Sequence, residues 1–430
     1  MRLFAWVEAT AALCFTEACV GLTAPATVAA PMAAALRNSR RVEGTEGSCE
    51  GCVAVDTGCC GMAGYLLLRD CLDAIPRSAG CILPTWCADP RRVQDYGRRR
   101  LILIRRPGSL GSIADREGGS SPLANETVFK RYEHNPVVTA AAVPRANSIH
   151  NSAIVRYGDG YAGVFRVDEI DFSFRLHTGF SDDGIHWHIN PDVLQMESPD
   201  EEVFVSDHSY DPRLMLVEGT YYLTWCNSIA QGPQIGLART QDFKTFVQME
   251  NPFQPPNRNA VLFPRRINGR FAMLHRPSDR GHTPFGDIFY SESPDLTFWG
   301  RHRHVFGPAP GWQSTKVGPG PAPIETEEGW LLIYHGVWTS CNGYLYYAGG
   351  ALLDLEKPWK VMYRTRDYLL APTMPYERVG DVPNVVFPSS LIEYPQERKV
   401  RLYYGCADTA VGMAEANLDE LIEFIKTHSF

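Results

Sequence analysis

Cysteine is scarce where the chain reads as most structured, long apolar runs are missing, and positive charge is not in surplus. Of the 12 cysteines in 430 residues, only Cys226, Cys341 and Cys406 lie beyond residue 90. Three thiols so far apart exclude a disulfide framework for that region and suit a reducing compartment. No apolar stretch reaches the roughly 18 residues needed to cross a bilayer as a helix, so no membrane partner is expected. With 41 Lys and Arg against 49 Asp and Glu, the formal net charge is -8. That balance argues against a nucleic-acid binder, which needs a basic surface. The 12 histidines are scattered, and no ligand-spaced cluster points to a metal.

The first 120 residues show little periodic pattern. Arg2 followed by "LFAWVEATAALCF" has the outline of a secretory signal, but Glu8 and Glu17 interrupt its apolar run. Cys49-x-x-Cys52 and Cys59-Cys60 lack the second clean pair of a zinc site. The basic run "RRVQDYGRRRLILIRR" reads as a solvated segment. Residues 1–120 are therefore expected to be an extension of unknown role and low order, and residues 121–430 one domain. The expected location is the cytoplasm, with a signal over residues 1–30 as the alternative.

From residue 157 to residue 406 one pattern recurs five times. A polar turn leads into an aromatic-rich strand that ends on polar or charged residues. The copies are Asp159-Gly160 into "YAGVFRVD", Glu218-Gly219 into "TYYLTWCNS", Asn268-Gly269 into "RFAMLHRP", Glu328-Gly329 into "WLLIYHGV" and Glu397-Arg398 into "KVRLYYGCAD". Further short alternating segments follow each copy, bounded by Gly, Asp, Asn and Pro, as strands are. A repeat of four short strands, taken five times, implies an all-β fold, a five-bladed β-propeller. The tail "NLDELIEFIKTHSF" carries apolar residues at helical spacing behind an Asn, and predicts a C-terminal helix.

The polar strand ends should converge on one central mouth. Asp211, in Ser209-Tyr210-Asp211-Pro212-Arg213, stands at the start of a strand beside the axis and is the candidate general acid. Arg258, Arg276, Lys316 and His335 are four cationic or potentially cationic groups from adjacent units. Gathered in one cavity they would demand an anion, and arginine forks suit phosphate. Asn151, Ser152, Arg166, Asp168 and Asp381, with Asn147 and Ser148, form an acceptor-rich set fit to hold a polyol. Trp225, Trp312 and Tyr346 are candidate aromatic floors, with packing between strands as the alternative reading for each. One acid, a sugar-like cradle and a phosphate-like cluster together point to phosphorolysis. An inverting hydrolase needs a second carboxylate to activate water, whereas phosphate brings its own charge.

From about Asn125 to Ile425 the chain resembles the inverting mannoside phosphorylases of glycoside hydrolase family 130. The resemblance rests on "NSIHNSAIVRYGDGYAGVFRVD", "SYDPRL", "NRNAVLFPRRINGRFAMLHRPSD", "GHTPFGDIFYSESPD", "WQSTKVGPGPAPI", "GWLLIYHGV" and "VGDVPNVVFP". It implies a five-bladed propeller with a central site and makes Asp211 the proton donor, acting through a sugar hydroxyl. It implies phosphate ligands at Arg258, Arg276, Lys316 and His335. Contacts to the transferred mannose fall at Asn151, Ser152, Arg166 and Asp381, with Asp168 adjacent. The expected reaction is reversible phosphorolysis of β-1,4-mannooligosaccharides to α-mannose 1-phosphate and a shortened acceptor. Phosphate is then a co-substrate, and no metal or organic cofactor is expected. The pattern is nearest the mannooligosaccharide branch, with β-1,4-mannosyl-glucose as the neighbouring substrate. An inverting β-mannoside hydrolase and a non-catalytic sugar-binding propeller are the rival readings. Relatives are often oligomers, so a homo-oligomer is a possible assembly.

Overall fold

Each of the five repeated segments becomes the second strand of a blade. The computed structural model describes residues 128–198, 208–278, 286–341 and 343–430. The expectations for residues 1–120, including the low-order extension and the signal, lie outside the described residues. The turns ahead of the second strands owe their geometry to residues that tolerate a left-handed backbone. Glu218-Gly219 sits at φ 50° and 79°, and Asn268-Gly269 at 52° and 76°. Two such residues in a row match the twist of the strands they join. In the first unit the left-handed residue is Gly158 (φ 57°), not Gly160, which opens the strand itself.

Among the described residues the strands form five separate antiparallel sheets, with one short parallel strand added at an edge. Blade 1 is Ala146–Tyr157, Gly160–Glu169, Phe174–Ser181 and His188–Ile189. Blade 2 is Ser209–Val217, Thr220–Ile229, Gly232–Thr240 and Phe246–Met249, with Met196–Glu197 parallel at its outer edge. Blade 3 is Asn257–Leu262, Phe271–Pro277, Ile288–Ser293 and Gly300–Phe306. In blade 4 the inner strand is split into Lys316–Pro319 and Ile324–Thr326, and both halves pair with Gly329–Ser340. Gly343–Leu353 and Val361–Arg364 complete that blade. Blade 5 is Val386–Tyr394, Lys399–Cys406 and Ala410–Asn417, and its outermost strand is Lys130–Arg131.

That last strand closes the ring. Arg131 donates from Nε and Nη2 to the Glu377 carboxylate at 2.7 and 2.9 Å. Tyr404 donates its hydroxyl to the same carboxylate at 2.9 Å. Glu377 lies in a short helix, α1 (Pro375–Arg378), that the sequence pattern did not suggest. The expected terminal helix is α2 (Leu418–Thr427). Asn417 caps it by accepting from the amides of Asp419 and Glu420 at 2.9 and 3.0 Å. Its Leu418, Leu421, Ile422 and Ile425 are buried in the core shared with blades 4 and 5.

Between blades the repeat aromatics pack as core. Trp225 and Leu223 of blade 2 meet Ala153 and Val164 of blade 1, and Trp330 and Tyr334 of blade 4 meet Phe263 and Tyr290 of blade 3. Each first strand runs beside the axis and each second strand runs back. The beginnings of the first strands and the ends of the second strands therefore share one face.

Candidate active site

On that face three first strands carry the same irregularity. The pairing slips between His150 and Ala153, between Tyr210 and Arg213, and between Arg258 and Val261. The first residue inside each slip has a left-handed backbone: Asn151 (φ 48°), Asp211 (φ 51°) and Asn259 (φ 54°). Asn and Asp pay the least for that conformation among residues with a Cβ. A bulge of this kind re-aims a side chain out of the alternating pattern.

Asn151 and Asp211 meet. Asn151 donates Nδ2 to Asp211 Oδ1 at 2.9 Å, and Arg166 donates Nη1 to the same oxygen at 2.8 Å. Arg166 also grips Asp168 with two bonds, Nε to Oδ1 and Nη2 to Oδ2, both 2.7 Å. Burial pushes the Asp211 carboxyl up, but Arg166, Arg213 and Asn151 outweigh it and leave it below the usual range. Burial likewise opposes ionisation of Asp168, yet His150 and Arg166 bring it down to about 2. A blade 5 glycine makes room for this contact. A Cβ at Gly405 would lie 1.9 Å from Asn151 Oδ1.

The cationic set also comes together. Arg276 donates Nη1 to His335 Nε2 at 2.9 Å. A Cβ at Gly318 would lie 2.6 Å from the His335 ring and 2.8 Å from Arg276 Nη1, so glycine is required in this stretch of "KVGPGP". Lys316 Nζ lies 4.3 Å from the Tyr344 ring centre and 5.5 Å from that of Tyr346. Burial, then Arg276 and Arg258, lower the Lys316 ammonium to about 7. Burial lowers Arg276 to about 10. Among the described residues, none of Arg258, Arg276 and Lys316 forms an ion pair with a carboxylate. His335, expected to be potentially cationic, is corrected. Burial and then Arg276 hold it well below the usual imidazole range, so it is neutral. With Nε2 accepting from Arg276, the ring hydrogen belongs on Nδ1, which is buried without a partner among the described residues.

The remaining expectations divide. Asp381 is exposed and accepts from Asn147 Nδ2 at 2.8 Å, standing at the rim. Ser152 lies in the blade 1 bulge, but its hydroxyl turns to the His150 carbonyl at 3.3 Å. Of the three aromatic floors, only Tyr346 lies against the cluster. Trp225 is buried between blades and donates to Asn227 Oδ1 at 2.6 Å. Trp312 stacks on Tyr334 at 5.9 Å and 24°. The second strand of blade 3 ends on both His275 and Arg276, yet only Arg276 joins the site. His275 faces Asn257 and Ser291 within the blade.

Several groups were missed. Arg213 braces three blades by donating to the carbonyls of Gly320 (2.8 Å), Pro212 (2.8 Å) and Pro388 (3.4 Å). The ring of Tyr210 lies 5.3 Å from the Arg166 guanidinium and 5.9 Å from that of Arg258. Asn259 is buried with Oδ1 unpartnered among the described residues. Its place one residue after Arg258 in "NRNAVLF" was the available signal. His150 was missed too: it lies between Asp168 and Asp408, the latter at a strand end expected to face the mouth. Among the described residues no group of three or more His, Cys, Asp or Glu is arranged to hold a metal ion.

The sequence profile of glycoside hydrolase family 130, described as beta-1,4-mannooligosaccharide phosphorylase, matches residues 123–427. The chain belongs to this family. A beta-1,4-mannooligosaccharide phosphorylase of Ruminococcus albus is 51% identical over 314 residues, covering 72% of this chain and 94% of that one. A 4-O-beta-D-mannosyl-D-glucose phosphorylase of Bacteroides fragilis is 27% identical over 331 residues, covering 70% and 81%. Among solved structures, a beta-1,2-mannobiose phosphorylase of Listeria innocua in complex with beta-1,2-mannobiose superimposes with a TM-score of 0.62 at 28% identity. It covers 69% of this chain and 99% of that one. Membership of family 130 agrees with the five-bladed architecture expected from the repeat.

Proposed function

We propose that residues 121–430 form a catalytic domain that phosphorolyses β-1,4-mannooligosaccharides reversibly and with inversion. The observation that carries this is the pairing of one carboxyl, Asp211, with a cationic cluster that has no carboxylate partner among the described residues. Burying unpaired cations costs several kcal/mol each, about the scale a bound phosphate would offset. A hydrolase would need a second carboxylate opposite Asp211 to activate water. Asp168 is bound on both oxygens by Arg166, and Asp381 stands at the rim on Asn147. Neither offers a free base.

In this reading mannose lies against Asn151, Arg166, Asp168 and Asp381, while Ser152 shapes the bulge that aims Asn151. Phosphate lies against Arg258, Arg276, Lys316 and the Nδ1–H of His335. A phosphate oxygen forms the bond to the mannose anomeric carbon as the bond to the acceptor oxygen breaks. The proton held by Asp211 ends on that acceptor oxygen, and the product is α-mannose 1-phosphate. No metal or organic cofactor takes part. In the free protein Asp211 is ionised, so it must gain a proton before phosphorolysis. Phosphate helps, because its negative charge offsets Arg258 and Arg276, both close enough to interact with Asp211. A cytoplasmic setting suits Cys226 and Cys406, both buried free thiols.

The test is incubation with β-1,4-mannobiose, with and without inorganic phosphate, and assay of mannose 1-phosphate against free mannose. Phosphate-dependent mannose 1-phosphate is expected. Equal release of free mannose without phosphate would overturn the proposal. A second arm compares β-1,4-mannotriose with β-1,4-mannosyl-glucose, and faster turnover of the trisaccharide is expected.

A further inference from the structure

His150 is fully buried on the first strand of blade 1, one residue before Asn151. Its Nε2 lies 3.3 Å from Asp168 Oδ2. Its Nδ1 lies 3.5 Å from Asp408 Oδ1, on the turn between the second and third strands of blade 5. The contact to Asp408 is long, and Nδ1 makes no well-aligned hydrogen bond among the described residues. It is an electrostatic neighbour rather than a tight bond. From Asp168 the contacts run on through Arg166 to Asp211. The order along the chain of contacts is Asp408, His150, Asp168, Arg166, Asp211, with charge able to alternate at every step.

We infer that His150 is a positioning residue that sets the protonation of Asp211 by fixing how the charge of Arg166 is shared between Asp168 and Asp211. This rests on Asp211 being the acid. The charged groups around His150 are Asp168 and Arg166 from the second strand of blade 1, Asp211 from blade 2 and Asp408 from blade 5. Two carboxylates against one guanidinium favour the imidazolium, and burial opposes it. Burial and Arg166 lower the His150 imidazole, but Asp408 and Asp168 raise it above its ordinary value on balance. An imidazolium at His150 satisfies part of the Asp168 charge. More of the Arg166 field then falls on Asp211 and holds it ionised. Loss of the imidazolium lets Asp168 draw on Arg166 alone, and the Asp211 carboxyl rises.

The sign can be read from rate against pH. Phosphorolysis needs Asp211 protonated in the substrate complex, so its carboxyl governs the basic limb of the kcat profile. His150→Gln removes a positive charge near Asp211 and moves that limb to higher pH by about one unit. Asp168→Asn removes a negative charge and moves it to lower pH. Opposite shifts from two neighbours in contact are not produced by general loosening of the site. The experiment uses the full chain with β-1,4-mannobiose and saturating phosphate, following mannose 1-phosphate. If the unaltered protein makes none, the phosphorylase reading fails before the relay is tested. If it is active and His150→Gln lowers kcat with the limb unmoved, His150 is structural and the inference fails. Should His150→Gln not fold, His150→Asn is measured in its place, and a limb unmoved there, or an unmoved or raised limb in Asp168→Asn, overturns the relay.

Discussion

Arg276→Met tests whether the cationic cluster exists for an anion. Arg276 is buried, donates one hydrogen bond to His335, and has no carboxylate partner among the described residues. Met keeps much of the length of the side chain while removing the charge. Its loss of the His335 bond costs about 1 kcal/mol. Relief of a buried, unpaired cation returns several kcal/mol. The free protein should therefore melt at the same temperature or higher. Against phosphate the balance reverses. One charge-assisted contact contributes about 1.5–3 kcal/mol, which is roughly 10- to 150-fold in the phosphate requirement. At phosphate one hundred times the dissociation constant, the unaltered protein gains about 2.7 kcal/mol, or a rise of about 4 °C in Tm for a domain of this size. Arg276→Met at the same phosphate concentration should keep about half of that gain or less. Differential scanning fluorimetry across a phosphate titration, with initial rates in parallel, reads both effects. An unchanged phosphate dependence would remove Arg276 from the anion site. A large fall in Tm without phosphate would make it a structural cation.

Lys316, lowered to about 7, is largely neutral at pH 8 in the free protein. Binding phosphate there requires the ammonium, so calorimetry at pH 8 in two buffers of different ionisation enthalpy should show proton uptake, and equal heats would contradict it. Asp211→Asn keeps the shape of the side chain and removes the transferable proton. Turnover of β-1,4-mannobiose should fall on the order of 10³-fold or more with the melting temperature preserved, and retention of most activity would displace Asp211 as the acid. Glu377→Ala leaves Arg131 without its buried partner at the ring closure. It should cost about 3–5 kcal/mol in urea unfolding, and a change within error would mean the clasp adds nothing.

What the chain order by itself determined is the repeat. Five polar turns feeding five aromatic strands implied five blades, because alternation with period 2 and left-handed turn residues are local properties that need no partner to be read. The same local reading singled out Asp211, Arg258, Arg276, Lys316 and Arg166, since charged residues at strand starts and ends are conspicuous in an apolar background. It left Trp225 and Trp312 open between floor and packing, because an aromatic looks alike whether it lines a cavity or fills the space between blades. It assigned His335 a potential charge that burial beside Arg276 removes. Asp408 was placed among the strand ends facing the mouth, but His150 and Arg213 escaped it because their importance lies in what they touch: His150 meets Asp168 on the next strand and Asp408 of blade 5, and Arg213 meets carbonyls of blades 4 and 5. Only the folded chain decided the ring closure. Arg131 and Glu377 are separated by 246 positions, and no local pattern can pair residues so distant. Blade closure, burial and the sharing of Arg166 between two carboxylates depend on which surfaces meet, and that is settled only when all five blades stand around one axis.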